Sequence, residues 1–415
     1  YLGKYSKKFD YICRLGGCRT RKNMKRILFV HHISRIGGAS FCLLNILKSL
    51  DRERFEPMVC LASEGPLADE IRRIGLRCII FPPMSTFPYN RPLAEPSSMM
   101  SCIRIAMSLG GFARLLKTNS IDIVYLNNMM LWPYLRPARE AGCRTVLHVR
   151  EHWPLNEHRR QLEAARSFAG KYADRIVAIN SFSASMFSGL EERTEIVMDW
   201  SDVDARCAGP GLSDVLGEDM AGRKAFLFTG GFNRIKGALE VMKAFTSEIR
   251  DNDARLVVLG AVPLRSSGLK FRMKQVLDRL GYHDYHYQIQ KALAADPRIV
   301  CRDAVYDFGR IAKESSGFLS WFTIPHANLA LAECIMLGVP CLAADNEEAR
   351  EYTGGGEYAL LTPAGDYPAF RQALATFASS PDLYRSKAAA GSPALRKMFD
   401  AGANAARLNE LLAGL

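Results

Sequence analysis

The chain has 415 residues, of which 48% are hydrophobic and 24% are charged. These values are typical of a globular protein and exclude a disordered one, and the length predicts two domains rather than one core. The formal net charge is +12, but nine basic residues and one acidic residue within residues 1–26 account for +8 of it. The basic excess therefore belongs mainly to a tail, so we predict no nucleic-acid partner.

Residues 1–23 are predicted to form this basic, partly disordered tail. Tyr1, Tyr5 and Phe9 interleave with its lysines, so contact with an anionic membrane surface is the alternative. Met24 opens an apolar run and is a candidate for the natural start. No uninterrupted apolar run reaches the roughly 18–20 residues that span a bilayer, and no cleavable signal pattern is visible.

The 11 cysteines are scattered and lie mostly in apolar runs. This usage is typical of reduced thiols in a cytoplasmic protein. Cys13 and Cys18 are the only close pair, and no spacing of His or Cys suggests zinc. We therefore predict no metal site.

In the first half, apolar β-branched runs alternate with helical stretches, which predicts a parallel α/β sheet. A Pro- and Ser-rich loop, Pro82–Pro96, precedes an amphipathic stretch, Ser97–Lys117. The predicted strands are Ile27–His31, Pro57–Leu61, Arg77–Phe81, Ile121–Leu126, Thr145–Val149 and Arg175–Ile179, with helices that include Ser40–Leu50 and Leu67–Ile74.

The second half repeats this pattern after a segment rich in Gly, Asp and Ala, Ser201–Arg223, which we interpret as a linker. An insertion, Pro263–Pro297, carries a predicted helix and the polar cluster His283, Asp284 and His286, which is read as a loop rather than as a set of metal ligands. The predicted strands are Ala225–Thr229, Arg255–Leu259, Arg298–Arg302, Gly317–Trp321, Val339–Ala343 and Ala359–Leu361.

A glycine turn follows the first strand of each half: Gly37-Gly38 in the first, and Gly230-Gly231 in the second. Glycines let backbone amides approach a ligand closely. Neither turn matches G-x-G-x-x-G or a P-loop, which argues against hydride transfer and NTP hydrolysis. Arg234 and Lys236 precede the next helix, where cations are unfavourable unless an anion lies between them. The alternative is a pair of exposed basic loop residues.

The segment from Thr323 to Gly355 contains a loop that opens an apolar helix beside a strand, a common phosphate-binding arrangement. Glu333 lies one turn into this helix and can accept hydrogen bonds from sugar hydroxyls. The alternative is a core helix whose single Glu points to solvent. His148 lies near the carboxyl end of a predicted strand, where open α/β sheets bind ligands, although a structural His is common there.

Together these stretches resemble the retaining nucleotide-sugar glycosyltransferases of the GT-B fold, in the large family four class (glycosyl transferases group 1). The resemblance covers about residues 24 to 415. It rests on the order of MKRILFVHHISRIGGAS, DIVYLNN, TVLHVREHWP, ADRIVAINSFSA, FTGGFNRIKG and ALAECIMLGVPCLAAD. It implies an α/β fold of two Rossmann-like, doubly wound domains that face a central cleft.

The implied organisation is an acceptor domain at residues 24–200, a linker at 201–223 and a donor-binding domain at 224–390. A C-terminal helical segment at 391–415 is expected to pack back on the first domain.

The resemblance also implies roles for single residues. Lys236 matches the Lys that binds the donor diphosphate in a G-x-x-x-x-x-K-G turn, with Gly230 and Gly231 in the same turn. Glu333 matches the second Glu of E-x₇-E, which holds the ribose, and the amides of Asn328 and Leu329 would reach the phosphates.

In the first domain, Gly37 and Gly38 would close over the diphosphate or the acceptor. His148 matches a His that contacts the transferred sugar. We therefore predict Lys236, Arg234 and His148 as the catalytic residues.

Two departures from the family pattern concern sugar recognition and the cations. Pro325 stands where the first Glu of E-x₇-E is expected, and His326 follows in place of a Gly. His326 or Asn328 can take over contacts to the sugar. The Arg of the family's glycine turn falls at Gly231, so Arg234 is expected to replace it.

We accordingly predict a metal-independent, retaining glycosyltransferase that moves a sugar from a nucleotide-sugar donor to a glycan or lipid-linked acceptor. The resemblance suggests bacterial surface polysaccharide biosynthesis, in the cytoplasm with loose attachment to the inner face of the cell membrane. No cofactor is expected, since the nucleotide sugar is a substrate. The alternatives are a non-catalytic GT-B-like subunit that binds nucleotide or glycan, and a nucleotide-sugar epimerase.

Overall fold

A computed structural model describes residues 24–89, 91–151, 153, 158–261 and 269–415. The basic tail, with Cys13 and Cys18, lies outside the described residues. So do parts of the HWP stretch and of the insertion at Pro263–Pro297.

Thirteen strands form two sheets within the described residues, and every strand pair is parallel. The first sheet has the order β3-β2-β1-β4-β5-β6-β7, and the second has the order β10-β9-β8-β11-β12-β13. The strands of the first sheet are β1 Lys25–His31, β2 Phe55–Leu61, β3 Arg77–Ile80, β4 Ile123–Asn127, β5 Arg144–Val149, β6 Arg175–Ala178 and β7 Thr194–Ile196. Those of the second are β8 Ala225–Phe228, β9 Arg255–Leu259, β10 Ile299–Arg302, β11 Gly317–Ser320, β12 Cys341–Asp345 and β13 Leu360–Pro363.

The helices connect the strands and cover both faces of each sheet. Those of the first half are α1 Gly38–Ser49, α2 Pro66–Arg73, α3 Pro96–Thr118, α4 Leu135–Glu140, α5 Arg159–Tyr172 and α6 Ser181–Ser185. Those that follow are α7 Leu212–Leu216, α8 Ala238–Glu248, α9 Leu269–Arg279, α10 Tyr285–Ala295, α11 Gly309–Glu314, α12 Leu329–Met336, α13 Glu347–Thr353, α14 Tyr367–Ser379, α15 Pro381–Met398 and α16 Ala401–Ala413.

The predicted fold class, two doubly wound α/β sheets, is confirmed. Parallel strands buried on both faces need continuous apolar runs, and β4 and β8 are buried along their whole length. The prediction missed one strand, β7, which is only three residues long and half-buried. Its sequence therefore lacks the apolar signal that identified the others.

Two segments cross between the halves of the chain. Leu408, Leu411 and Leu412 of α16 belong to the apolar core that contains Ile27 and Phe29 of β1. The 201–223 segment, expected to be a linker, instead contributes buried residues to the core beneath the second sheet, among them Val203, Leu212, Leu216 and Met220.

A polar contact joins the start of α6 in the first half to α13 in the second. The Asn180 side chain donates to Glu348 Oε1 at 2.7 Å and to the Tyr352 hydroxyl at 3.3 Å. The Ser181 amide and hydroxyl donate to the Glu351 carboxylate at 3.0–3.2 Å. Burial raises the pKa of Glu348 to about 7, although the hydrogen bond from Asn180 opposes this.

This raised pKa predicts a pH-dependent stability. The folded state favours protonated Glu348, so its stabilising contribution is complete below pH 4.5 and is lost as the pH rises toward 7. Glu348→Gln keeps the neutral form at every pH. We expect its stability relative to the wild type to increase between pH 4.5 and 7, by at most about 3 kcal/mol.

Urea midpoints at both ends of this pH range measure the difference. Glu357→Gln removes the same charge from an exposed residue shortly after α13 and is the matched control. If the stabilities of the two variants show the same pH dependence, ionisation of Glu348 does not destabilise the folded protein.

Candidate active site

A cleft of about 320 Å³ lies between the two sheets and is lined by residues from both. Its walls follow the carboxyl ends of parallel strands, where α/β proteins bind ligands. Gly37 follows β1, Arg150 follows β5, Lys236 follows β8, and the N-terminus of α12 follows β11.

The first-domain wall begins at the glycine turn that opens α1. Gly37 is the N-cap of this helix and has no side-chain cap. Side-chain atoms added at Gly37 or Gly38 would meet nothing within 4 Å, so the space in front of the turn is open. The helix N-terminus therefore presents free amides to the cleft.

Beside this turn lies a buried ion pair that the sequence did not reveal. Arg150 donates to Asp199 Oδ1 at 2.6 Å and, through Nε, to Asn127 Oδ1 at 2.9 Å. Burial lowers the pKa of Arg150, but Asp199 outweighs this effect and holds the pKa above its usual value. Arg150 Nη2 is buried without a hydrogen-bond partner among the described residues.

Three histidines lie behind this wall and are held neutral by burial. Burial lowers the pKa of His31 to about 4, and that of His32 to about 3. His148 Nδ1 contacts the Tyr125 hydroxyl at 2.7 Å, and burial holds its pKa well below the usual range. His148 does not line the cleft in the part of the chain that the structure describes, although its Nε2 is buried and unpaired.

The second-domain wall is built around Lys236. Its Nζ lies 5.8 Å from the centroid of the Phe322 ring, and no described residue forms an ion pair with it. Burial lowers the pKa of Lys236. A half-buried cation without a counter-charge is favourable only when an anion can approach it.

The turn around Lys236 packs so closely against its neighbours that three of its positions have no room for a side chain. A side chain at Gly231, whose φ is +55°, would meet the Gly260 carbonyl oxygen at 2.3 Å. One at Gly230 would meet the Phe228 ring at 2.1 Å, and one at Gly237 would meet the Trp321 carbonyl oxygen at 2.1 Å. These glycines therefore allow close packing of the turn, which brings Lys236 against the cleft.

The N-terminus of α12 also opens into the cleft. Asn328 is its N-cap, accepts from the Leu331 amide and donates to Ser320 Oγ at 2.9 Å. The amides of Leu329 and Ala330 donate to no acceptor in the described part of the chain. Both residues line the cleft. The helix end thus presents two free donors to the same space as Lys236.

Glu333 is buried one turn further along α12 and forms an ion pair with Arg206. Burial raises the pKa of Glu333, while Arg206 and a hydrogen bond from Ser201 lower it. Arg206 also donates through Nε to the Tyr306 carbonyl oxygen at 2.9 Å.

The Arg206 guanidinium lies between two aromatic rings. Its central carbon is 4.6 Å from the Phe41 ring centroid and 4.8 Å from that of Phe308. Phe41 belongs to the first domain and Phe308 to the second, so Arg206 joins the two walls.

The loop expected to contact the sugar lies between Lys236 and α12. His326 lines the cleft and stacks on Phe322, with ring centroids 5.8 Å apart. Pro325 supplies no carboxylate here. The His326 imidazole therefore offers a polar side chain of this loop to the cleft.

With this geometry in place, comparisons with known proteins identify the architecture. Residues 37–195 match the family model described as a glycosyl transferase 4-like domain. No curated protein sequence matches the chain significantly.

Solved glycosyltransferase structures superimpose on nearly the whole chain. HepE from Anabaena in complex with UDP-glucose is 18% identical, with a TM-score of 0.72 over 94% of this chain and 100% of that chain. An E. coli trehalose-6-phosphate protein bound with UDP-2-fluoro glucose is 13% identical, with a TM-score of 0.69 over 93% and 99%. The lipopolysaccharide outer core galactosyltransferase WaaB in its apo form is 16% identical, with a TM-score of 0.55 over 92% and 99%. The GT-B fold is therefore confirmed.

The GT-B cleft brings together seven of the eleven predicted site residues. They are Gly37, Gly38, Lys236, His326, Asn328, Leu329 and Glu333. Gly230, Gly231 and Arg234 are not part of the described lining, and the Arg234 side chain is exposed.

The described residues contain no group of three His, Cys, Asp or Glu side chains able to hold a metal ion. In the insertion, His283 Nδ1 lies 2.7 Å from Asp278, and Asp284 caps α10. Their polar groups are used within the insertion itself.

The Arg206–Glu333 pair predicts a large stability effect. Arg206→Met keeps the apolar stem but leaves Glu333 buried without a counter-charge, which we expect to destabilise the protein by about 3 kcal/mol. Adding Glu333→Gln removes the stranded charge and is expected to restore most of this loss.

Urea midpoints of both single variants and the double variant measure the coupling. Arg385→Met, at an exposed position on α15, is the matched control. A double variant no more stable than Arg206→Met would contradict the ion-pair explanation.

Proposed function

We propose that this protein is a metal-independent, retaining glycosyltransferase that uses a nucleotide sugar. The observation that carries the proposal is the unpaired Lys236 ammonium in one cleft with the open N-terminus of α12. A diphosphate supplies the anion that both groups lack. UDP sugars are the first donors to test, because HepE and the E. coli protein were solved with UDP-linked ligands.

In this proposal the second domain binds two polar groups of the donor, the diphosphate and the ribose. Lys236 and the amides of Leu329 and Ala330 bind the diphosphate. Glu333 accepts hydrogen bonds from the ribose hydroxyls. A carboxylate has two oxygens with several lone pairs, so Glu333 can accept from ribose while it remains paired with Arg206.

The transferred sugar would face Gly37, Gly38 and His326. His326 takes the place of a carboxylate in contacting sugar hydroxyls, since Pro325 has none. His148 lies behind this wall, so any contact with the sugar would have to pass through its unpaired Nε2.

Charge stabilisation of the leaving group is the proposed source of catalysis. The bond from the anomeric carbon to the diphosphate oxygen breaks, and the acceptor hydroxyl forms a new bond on the same face. The hydroxyl proton passes to the departing diphosphate oxygen. Lys236 and the helix amides stabilise the charge that develops there.

The state of the cleft carboxylates supports retention without a covalent intermediate. In the described lining, Asp199 and Glu333 are the only carboxylates, and each is paired with an arginine. Neither is free to act as a nucleophile. The same pairing disfavours an epimerase, which needs acid and base groups above the sugar.

A non-catalytic GT-B-like subunit is the second candidate. Two features favour it: Glu333 is already paired with Arg206, and Pro325 stands where the family pattern has a Glu. It predicts nucleotide binding without turnover over a broad panel of donors.

The acceptor in our proposal is a glycan or a lipid-linked glycan of the bacterial surface. The fold similarity to WaaB, a lipopolysaccharide galactosyltransferase, supports this context. We propose a cytoplasmic protein that attaches to the inner face of the membrane.

Lys236→Met tests the donor site. We expect at least a 100-fold loss of UDP-sugar turnover or hydrolysis, about the effect of removing one oxyanion donor. The shift in melting temperature on adding UDP is also expected to disappear. Lys243→Met, on the exposed side of α8, removes the same charge and is expected to retain wild-type turnover.

Glu333→Gln is expected to weaken UDP binding about tenfold, since a charge-assisted hydrogen bond to ribose is lost. Values within about threefold of the wild type for both Lys236→Met and Glu333→Gln would rule out this donor site.

A further inference from the structure

A second pocket lies at the N-terminus of α3, at the same sheet edge as the cleft. Its volume is about 330 Å³, and its lining is separate from that of the cleft. No carboxylate lines it within the described residues, and its polar side chains are those of Thr86, Tyr89, Arg91, Ser97, Ser98 and Ser101.

The loop that forms the opposite side of this pocket is held in place. The Phe87 amide donates to the Met130 carbonyl oxygen at 2.9 Å. The Gln161 side chain donates to the Arg91 carbonyl oxygen at 2.8 Å. The pocket is therefore bounded on two sides by hydrogen-bonded backbone.

The start of α3 has donors without acceptors. Glu95 is the N-cap residue, but its side chain makes no cap hydrogen bond and does not line the pocket. The Ser97 and Ser98 amides donate to no described residue. A 23-residue helix also directs the positive end of its dipole here.

Ser98 supplies a second, independent observation. Only 1% of this residue is exposed, and its hydroxyl has no hydrogen-bond partner among the described residues. A buried unpaired hydroxyl is costly unless a ligand completes it. The amides, the Ser98 hydroxyl and Arg91 are all donors, which is the chemistry that binds a phosphate.

The exposed face of α3 indicates which kind of molecule the phosphate belongs to. Met99, Met100, Ile103 and Met107 are half or more exposed, and Met107 is 80% exposed. The opposite face packs into the first-domain core. By length and composition α3 is the one described helix that could span a membrane, yet its buried face makes it a surface helix.

The charges of α3 agree with an anionic amphiphile. The helix contains Arg104, Arg114 and Lys117 and no acidic residue. Exposed methionines flanked by cations are typical of a helix that lies in a membrane interface.

We propose that the N-terminus of α3 binds the phosphate group of an anionic lipid, whose chain lies against Met99, Met100, Ile103 and Met107. This proposal rests on the membrane attachment in the proposed function and adds a defined phosphate site on the first domain. Free phosphate shares the headgroup chemistry, so the test separates the two sources.

Ser97→Glu is the decisive variant. An acidic residue in the first turn favours the helix, so folding is preserved, but its charge repels a phosphate. Sedimentation of the full chain with vesicles of phosphatidylglycerol and phosphatidylcholine, without nucleotide, measures binding. We expect the partition onto these vesicles to fall about fivefold, the effect of roughly one charge near an anionic surface.

Gln372→Glu adds the same charge on the exposed side of α14 and is expected to change the partition less than about twofold, because salt screens distant charges. Equal losses for Ser97→Glu and Gln372→Glu would overturn the site.

The double variant Met100→Gln/Met107→Gln tests the lipid as the source. We expect it to weaken vesicle binding while leaving calorimetric binding of inorganic phosphate unchanged. Unchanged vesicle binding by this double variant would overturn the proposal that the bound phosphate belongs to a lipid. Because no nucleotide is present, a negative result here leaves the Lys236 and Glu333 tests of the donor site untouched.

Discussion

The ion pair between Arg206 and Glu333 is the interaction on which the cleft depends. A carboxylate cannot remain charged at this depth without a partner. Arg206 is supplied by the segment that joins the two domains, and the rings of Phe41 and Phe308 hold it from both sides. Arg206 therefore positions the ribose-binding candidate and also contacts both domains, in addition to the hydrogen bonds from Asn180 and Ser181 to α13.

This pairing also sets the charge of the cleft. Among the charged residues of the described lining, Arg150 pairs with Asp199 and Arg206 pairs with Glu333. Lys236 remains as a single uncompensated cation beside a helix N-terminus. The walls are thus neutral except where a diphosphate would sit, which focuses attraction for an anion at one end of the site.

The sequence could predict the parts of this arrangement that depend on local pattern. Buried parallel strands need continuous apolar runs, which made twelve of the thirteen strands visible, and the turn after β8 identified Lys236. Glu333 was found because a carboxylate in an apolar helix is unusual.

Other features depend on contacts between distant segments. Arg206 lies 127 residues before Glu333, in a stretch whose Gly and Asp content suggested a linker. Arg150 and Asp199 are 49 residues apart and follow no motif. Gly230 and Gly231 showed that a tight turn was needed, but only the structure shows that Phe228 and Gly260, rather than a ligand, occupy the space.

The return of α16 to the first sheet has a consequence for how the protein is made. The Asp51 amide donates to the side chain of Asn409, across 358 residues of chain, and Leu408 and Leu412 complete the same core. During synthesis, the first sheet therefore cannot complete this part of its core until the second domain has been translated. The half that is translated first therefore completes its apolar core only when α16 has been made.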